Sequence, residues 1–338
     1  MVRNYTAYLL LLCLLPVAGV GGTITDLYQA EAPIESLQPE SRRPAIRAAL
    51  GMVLVKLTGN RYAPAESNLR PLLQRAESYM LEFKLNAEAS LLWVRFDEET
   101  LTRDLRGLGL AIWGKERPST LLWLAIKDEA GEQILGLEGN PAYLESIARR
   151  TRQRGIDLTY PLLDLEDNAK LQPDDIRQGY MQAVLDASSR YPVESILIGS
   201  VEATAPGIWE GQWTGYISGA THNWRTAGDI ADIAIEDGID GMTDLLATNF
   251  IQDNAQAQDS VTLTITDIYT IDQYAEALKY LESLSFVSKV LVNNVTVGEV
   301  SFKLMAHGGC PAVAQAITLG RKLIPNSTGE CSRYRLLP

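Results

Sequence analysis

Histidine and cysteine are nearly missing from this 338-residue chain, which holds two His and three Cys. So few ligands at such wide spacing cannot make a Cys/His metal cluster, and a disulfide scaffold needs many more cysteines. Base is also short, with 30 Lys and Arg against 42 Asp and Glu and a formal charge of -12. A net acidic surface supplies neither counterion release on nucleic acid nor polybasic attachment to an anionic membrane, so neither partner is expected; only a local basic patch remains allowed. Gly (26) and Pro (15) are too few for a collagen-like or Pro/Gly-dominated chain. No solenoid-length repeat and no low-complexity tract occurs. What remains, 46% hydrophobic and 21% charged residues, describes a soluble globular protein of two or three domains.

Motifs that announce chemistry are missing too. There is no GxSxG elbow, HExxH, CxxC or dinucleotide fingerprint. The nearest phosphate-loop lookalike runs from Gly109 to Gly114 and Lys115, but Glu116 stands where Ser or Thr would hold magnesium. Its middle residues are bulky and apolar, whereas a phosphate cradle needs bare backbone amides. The acids Asp229, Asp232, Glu236, Asp237, Asp240 and Asp244 do not alternate as in an EF-hand loop; they fall along one side of a predicted helix and read as a solvated face, or as a site for a basic partner. No cofactor, metal or catalytic residue is expected.

The N-terminus carries a positive signal. Arg3 precedes an apolar run at residues 7–20 (AYLLLLCLLPVAGV) and small residues Gly19, Gly21 and Gly22. That order is basic n-region, short h-region and peptidase site, and the run is too short for a spanning helix. Residues 1–22 are therefore expected to be a signal peptide, with an uncleaved anchor as the alternative. A lipid anchor at Cys13 is discounted because Leu12 precedes it. Cleavage removes Cys13 and leaves Cys310 and Cys331, an even pair in an oxidising compartment, whose disulfide would contribute roughly 3 kcal/mol. The alternative is a Cys-His hydrolase dyad of His307 and Cys310 in the run His307-Gly308-Gly309-Cys310, which lacks the strand-turn-helix context and orienting carboxylate such a site needs.

Hydrophobic periodicity divides the mature chain into three modules. In residues 23–118, an extended start precedes a helix with the stripe Ile46, Ala49, Leu50, Val53, Leu54, Leu57, stopped at Gly59. A second helix is predicted over 69–80, a strand over 91–96, a helix over 98–108 and a short extended piece over 110–113: a small α+β unit. Residues 119–253 alternate strand (121–126), helix (143–154), strand (156–163), helix (176–191) and strand (195–201), then give a meander at 208–217 and 221–227 and a closing helix over 229–249. This is a mixed α/β sheet covered by helices, its first strands parallel. The polar stretch 252–259 is the clearest linker. Residues 260–338 follow β-α-β-β-α, which predicts a ferredoxin-like, split βαβ module.

Trp209 and Trp213 lie four apart on a predicted strand, hence on one sheet face, and Trp224 on the next strand can join them. We read them as core beneath the closing helix, whose Ile230, Ala234, Ile235, Ile239 and Leu245 need a surface to cover. The alternative is an interaction surface that stacks on sugar rings or receives a protein.

Residues 27–34 (LYQAEAPI), 46–61 (IRAALGMVLVKLTGNR), the run WGKERPSTLLW within 105–123, and Ile198-Gly199-Ser200-Val201 followed by Trp209 and Trp213 resemble an uncharacterised exported proteobacterial family, the domain of unknown function twenty sixty-six. That resemblance brings no catalytic residue. More distantly, the three-part layout is similar to the periplasmic flagellar-ring accessory protein, and the middle portion to the N-terminal domain of TolB and of lipoprotein activators of peptidoglycan synthases. These imply a non-enzymatic adaptor in the periplasm of a Gram-negative bacterium whose partners are envelope proteins. Peptidoglycan or another carbohydrate as ligand, and an unrecognised periplasmic hydrolase, are the alternatives.

Overall fold

The computed structural model describes residues 26–36, 38–115, 117–129, 131–254, 258–284, 286–320, 322–326 and 332–337. The expected signal peptide at 1–22 and Cys331 lie outside them. The described residues form a mixed α+β protein with eleven α-helices and fourteen strands in three sheets. None of the described helices is long and apolar enough to cross a membrane.

The first sheet is built from β1 (Gln29–Pro33), β2 (Met80–Asn86) and β3 (Leu91–Phe96) in the order β1-β3-β2, all antiparallel. Helix α1 (Pro39–Thr58) lays Ile46, Leu50, Val53, Leu54 and Leu57 on this sheet, the face its sequence stripe marks. It ends where Gly59 takes a left-handed conformation (φ 68), as a helix C-terminus commonly does. The helix expected over 69–80 is instead two short pieces, α2 (Arg70–Gln74) and α3 (Ala76–Tyr79), and β2 begins directly afterwards. Helix α4 (Glu98–Gly107) starts at Asp97, whose carboxylate accepts from the Thr100 amide at 2.8 Å.

The second sheet has the order β5-β4-β7-β8-β9, with the two-residue β6 (Leu158–Thr159) pairing β4. Its strands are β4 (Thr120–Asp128), β5 (Gly131–Ile134), β7 (Ser195–Ala205), β8 (Ile208–Ile217) and β9 (Ala220–Gly228). β4 and β7 are parallel and central, while β7, β8 and β9 form an antiparallel meander. Leu121 through Ile126 are all buried, because β4 is covered on both faces and needs no polar alternation. One face packs on α5 (Pro141–Arg154) and α9 (Ala231–Asn254); the other packs on α7 (Pro173–Arg177) and α8 (Met181–Ser188), with α6 (Leu165–Lys170) outside. Gly179 (φ 72) separates α7 from α8, where a single helix over 176–191 was expected.

The third sheet has the order β11-β12-β10-β14-β13. Strand β10 (Gln258–Ile268) leads to helix α10 (Ile271–Ser283), then β11 (Val287–Thr296) and β12 (Gly298–His307), helix α11 (Gly309–Gly320), and the short strands β13 (Leu323–Pro325) and β14 (Arg333–Leu336). β12 lies between β10 and β11 and is antiparallel to both. The strand after α11 does not take the place beside β10; the final strand β14 does, running parallel to β10, and β13 is displaced to the edge. Leu263, Phe302, Leu304, Val313 and Ile317 centre this module's own buried cluster.

Candidate functional site

The stretch 110–113, expected as a short extended piece, joins no sheet; with Gly114 it is an irregular crossing that carries Trp113 into the core of the second sheet. The phosphate-loop lookalike is therefore a joint. Lys115 is held by Glu98 at 2.7 Å, and Trp113 donates its backbone N–H to the Leu57 carbonyl at 2.7 Å. Arg117 is the centre of this joint. Its buried guanidinium lies 3.9 Å from the centre of the Trp113 ring and donates to the carbonyls of Gly114, Trp113, Lys56, Arg154 and Gly155 at 2.5–3.2 Å. Those of Lys56, Arg154 and Gly155 sit at the C-terminal ends of α1 and α5, where unpaired carbonyls and the helix dipole favour a cation. Gly155 (φ 66) leaves room for it, since a Cβ there would lie 2.9 Å from Arg117 Nη1.

Beside the joint, three guanidiniums and two carboxylates cluster around the buried Asp240 and Arg154, with Arg61, Arg150 and Asp244 half-buried. Asp240 of α9 is fully buried; Arg150 of α5 binds both of its oxygens, Arg61 reaches Oδ2 at 3.2 Å, and Arg154 stands 3.5 Å from Oδ1. Asp244, one turn on, accepts from Arg61 and Arg154 at 2.5 Å each, and Arg154 also donates to the Gly59 carbonyl at 2.9 Å. One turn back, Glu236 is paired with Arg149. Burial pulls the Arg154 guanidinium below its ordinary value, against the pull of Asp240 and Asp244. Burial acts the same way on Arg61, but there the hydrogen bond to Asp244 and the charges of Asp240 and Asp244 prevail and raise it. Half of the acid row of α9 is thus not a solvated face: Glu236, Asp240 and Asp244 meet basic partners inside the same chain. Arg150 and Arg154 repeat the same four-residue spacing on α5, and that match was the signal in the sequence.

The tryptophans divide. Trp213 is buried between Gly199 of β7 and Gly238 of α9, where an added Cβ would fall 2.2 Å and 2.0 Å from its ring. Its indole N–H donates to Thr226 Oγ1 at 2.9 Å, and that hydroxyl donates to the Ala234 carbonyl at 2.8 Å, tying sheet to helix. Trp224 stacks on Trp213 with ring centres 6.4 Å apart and passes under Gly241. Trp209 is half-buried against the same cluster. Trp213 therefore offers no ring to a ligand, and the three do not form an open row. His307 ends β12 and Cys310 begins α11, exposed; Cys331 is outside the described residues.

What the second sheet does leave open is the edge at β9. A groove of about 1040 Å³ runs between this strand and α9, lined by Arg61 and Tyr62 from the first module and by His222, Trp224, Leu245 and Asn249 among others. β9 pairs with β8 from Trp209↔Gly228 to Ile217↔Ala220 without a register shift, and its other side has no strand partner among the described residues.

Residues 22–114 match a family described as a domain of unknown function (DUF8605). This corrects the family expected from the sequence: the segments at 27–34 and 46–61 fall within a match to a different family from the one they were held to resemble. No curated protein and no solved structure matches the chain, so the expected similarity to the flagellar-ring accessory protein and to the TolB N-terminal domain is withdrawn as well. The matched segment spans the first sheet, its helices and the crossing as far as Gly114, and no activity is attached to it.

Proposed function

We propose that this chain is a non-enzymatic interaction protein of the cell envelope, and that it holds an extended segment of a partner protein along β9. The unblocked β9 edge carries the reading. Natural proteins blunt exposed edges with prolines, bulges, short strands or charge. β9 is nine residues long, has no proline, keeps an unbroken register, and bears Arg225 as its one formally charged side chain. An added strand would hydrogen-bond to this edge and drop alternate side chains into the groove against Trp224 and Leu245. The opposite edge, β5, is four residues long and exposed.

Export to the periplasm after loss of residues 1–22, a Cys310–Cys331 disulfide tying α11 to the tail, and a ferredoxin-like third module with an inserted last strand complete the proposal. In-cell photo-crosslinking from Thr221 and Asn223 on β9, with Glu132 on β5 as control, tests it. One envelope protein recovered from the β9 positions and not from β5 is the expected result; adducts that are absent, or the same from both edges, refute the reading.

A further inference from the structure

The third sheet keeps one face under α10 and α11 and leaves the other to solvent. The backbone pairings place successive rows on that open face: Lys289, Met305 and Ser260; then Leu291, Lys303 and Thr262; then Asn294, Ser301, Thr264 and Arg333; then Thr296, Glu299, Thr266 and Arg335. Lys289, Lys303, Arg333 and Arg335 therefore step along a diagonal, one row at a time from β11 to β14, across a field of six Ser and Thr hydroxyls. At about 4.8 Å between strands and about 6.8 Å between rows, the diagonal is on the order of 25 Å long. All four cations are exposed. Glu299, paired with Arg333, is the one carboxylate in these rows.

Several arginines elsewhere in the molecule are compensated within the chain. In the first two modules Arg61, Arg95, Arg149, Arg150, Arg154, Arg177 and Arg190 all sit on carboxylates of their own chain. Lys289, Lys303 and Arg335 have no carboxylate within ion-pair distance among the described residues. Three uncompensated cations aligned with hydroxyls make a local positive field on a chain of net charge -12. We infer that this diagonal binds an acidic polypeptide segment, extended and of about eight residues, given roughly 3.3 Å per residue. A peptide feels only charges within about 8–10 Å of it, so the patch acts on it alone. An anionic membrane or a nucleic acid would meet the net negative field of the whole chain, and no aromatic ring stands in these rows for bases to stack on. This surface is separate from the β9 edge, and either can fail without the other.

The test uses the full chain and a fluorescein-labelled peptide of alternating Glu and Ser, read by fluorescence anisotropy. The variant Lys289→Gln/Lys303→Gln/Arg335→Gln is compared with Arg47→Gln/Arg103→Gln/Lys279→Gln, which makes the same charge change on other exposed surface. Three exposed pairs at a few-fold each predict about tenfold weaker binding in the first variant, little change in the second, and loss of binding at high salt. Circular dichroism establishes that both variants are folded. Absence of binding to the unaltered chain, or equal weakening by the two variants, overturns the inference. Binding to phosphatidylglycerol vesicles or single-stranded DNA that depends on these three residues, without binding to the peptide, overturns the choice of partner.

Discussion

Lys56 gives the sharpest quantitative test of the joint. Its ammonium is buried near the end of α1 and donates to the carbonyls of Asp26 at 3.0 Å and Gln29 at 2.8 Å. Burial lowers its pKa from 10.5 to about 8, and the nearby Arg117 charge adds to that, against the attraction of Asp26. Below pH 8 both the folded and unfolded chains hold the proton, and the folded state bears the full cost of burying the charge. Between about 8 and 10.5 the unfolded chain binds more protons than the folded one, so folding stability must rise with pH across that window. The shift corresponds to about 3 kcal/mol. Other groups titrate there too: burial pushes Tyr28 and Tyr160 up to about 12, and these withdraw stability above pH 10. The quantity to measure is therefore the difference in urea-unfolding free energy between the unaltered protein and Lys56→Met, from pH 7 to 10.5. It should shift by about 3 kcal/mol in favour of the unaltered protein as pH rises. A difference that stays flat across this range means that Lys56 is solvated and that the joint is open to water.

Arg117→Met should cost at least about 3 kcal/mol in the same unfolding assay, because it strands helix-terminal carbonyls that are hydrogen-bonded to a charge; a loss below about 1 kcal/mol would contradict its central place. Gly238→Ala reverses the usual sign of a helix substitution. Alanine is about 1 kcal/mol better than glycine in a helix interior. Here its Cβ would lie 2.0 Å from the Trp213 ring, so the variant should be less stable by about 1–3 kcal/mol, with altered near-UV dichroism. A more stable variant with an unchanged spectrum would show that α9 does not rest on Trp213.

Legibility in the sequence followed how much each element owes to its own residues. The stripe on α1, its stop at Gly59 and the unbroken apolar run of β4 are local patterns that burial enforces directly. β2 was overlooked because Leu72, Leu73, Ala76 and Tyr79, at helical spacing, run straight into Met80, although Leu81, Glu82, Phe83, Lys84, Leu85 and Asn86 then alternate apolar and polar as a strand does. β13 and β14 were missed because they are three and four residues long, and they exist only because β14 pairs with β10, a partner distant in sequence, and β13 with β14. The acid row of α9 was visible as a row, but its meaning depended on which helix lay opposite. Arg150 and Arg154 are remote in sequence, and only the crossing of α5 over α9 brings the two rows together.

That crossing bears on how the groove at β9 keeps its shape. Buried ion clusters are weak sources of stability, since desolvation cancels much of the attraction, and apolar side chains of similar volume often do as well. They differ from apolar contacts in being directional. Arg61 comes from the first module, Arg150 and Arg154 from α5, and all three converge on two carboxylates one turn apart on α9. A small rotation or slide of α1 against α9 would leave Asp240, which has no access to water, with a broken pair. Arg61 and Tyr62 are also one wall of the groove, and Trp224 and Asp237 line it from the second module. The cluster therefore also sets the width of the cleft beside the open edge. Apolar replacement of all five, Arg61, Arg150, Arg154, Asp240 and Asp244, would leave folding stability nearly unchanged and loosen the groove beside β9.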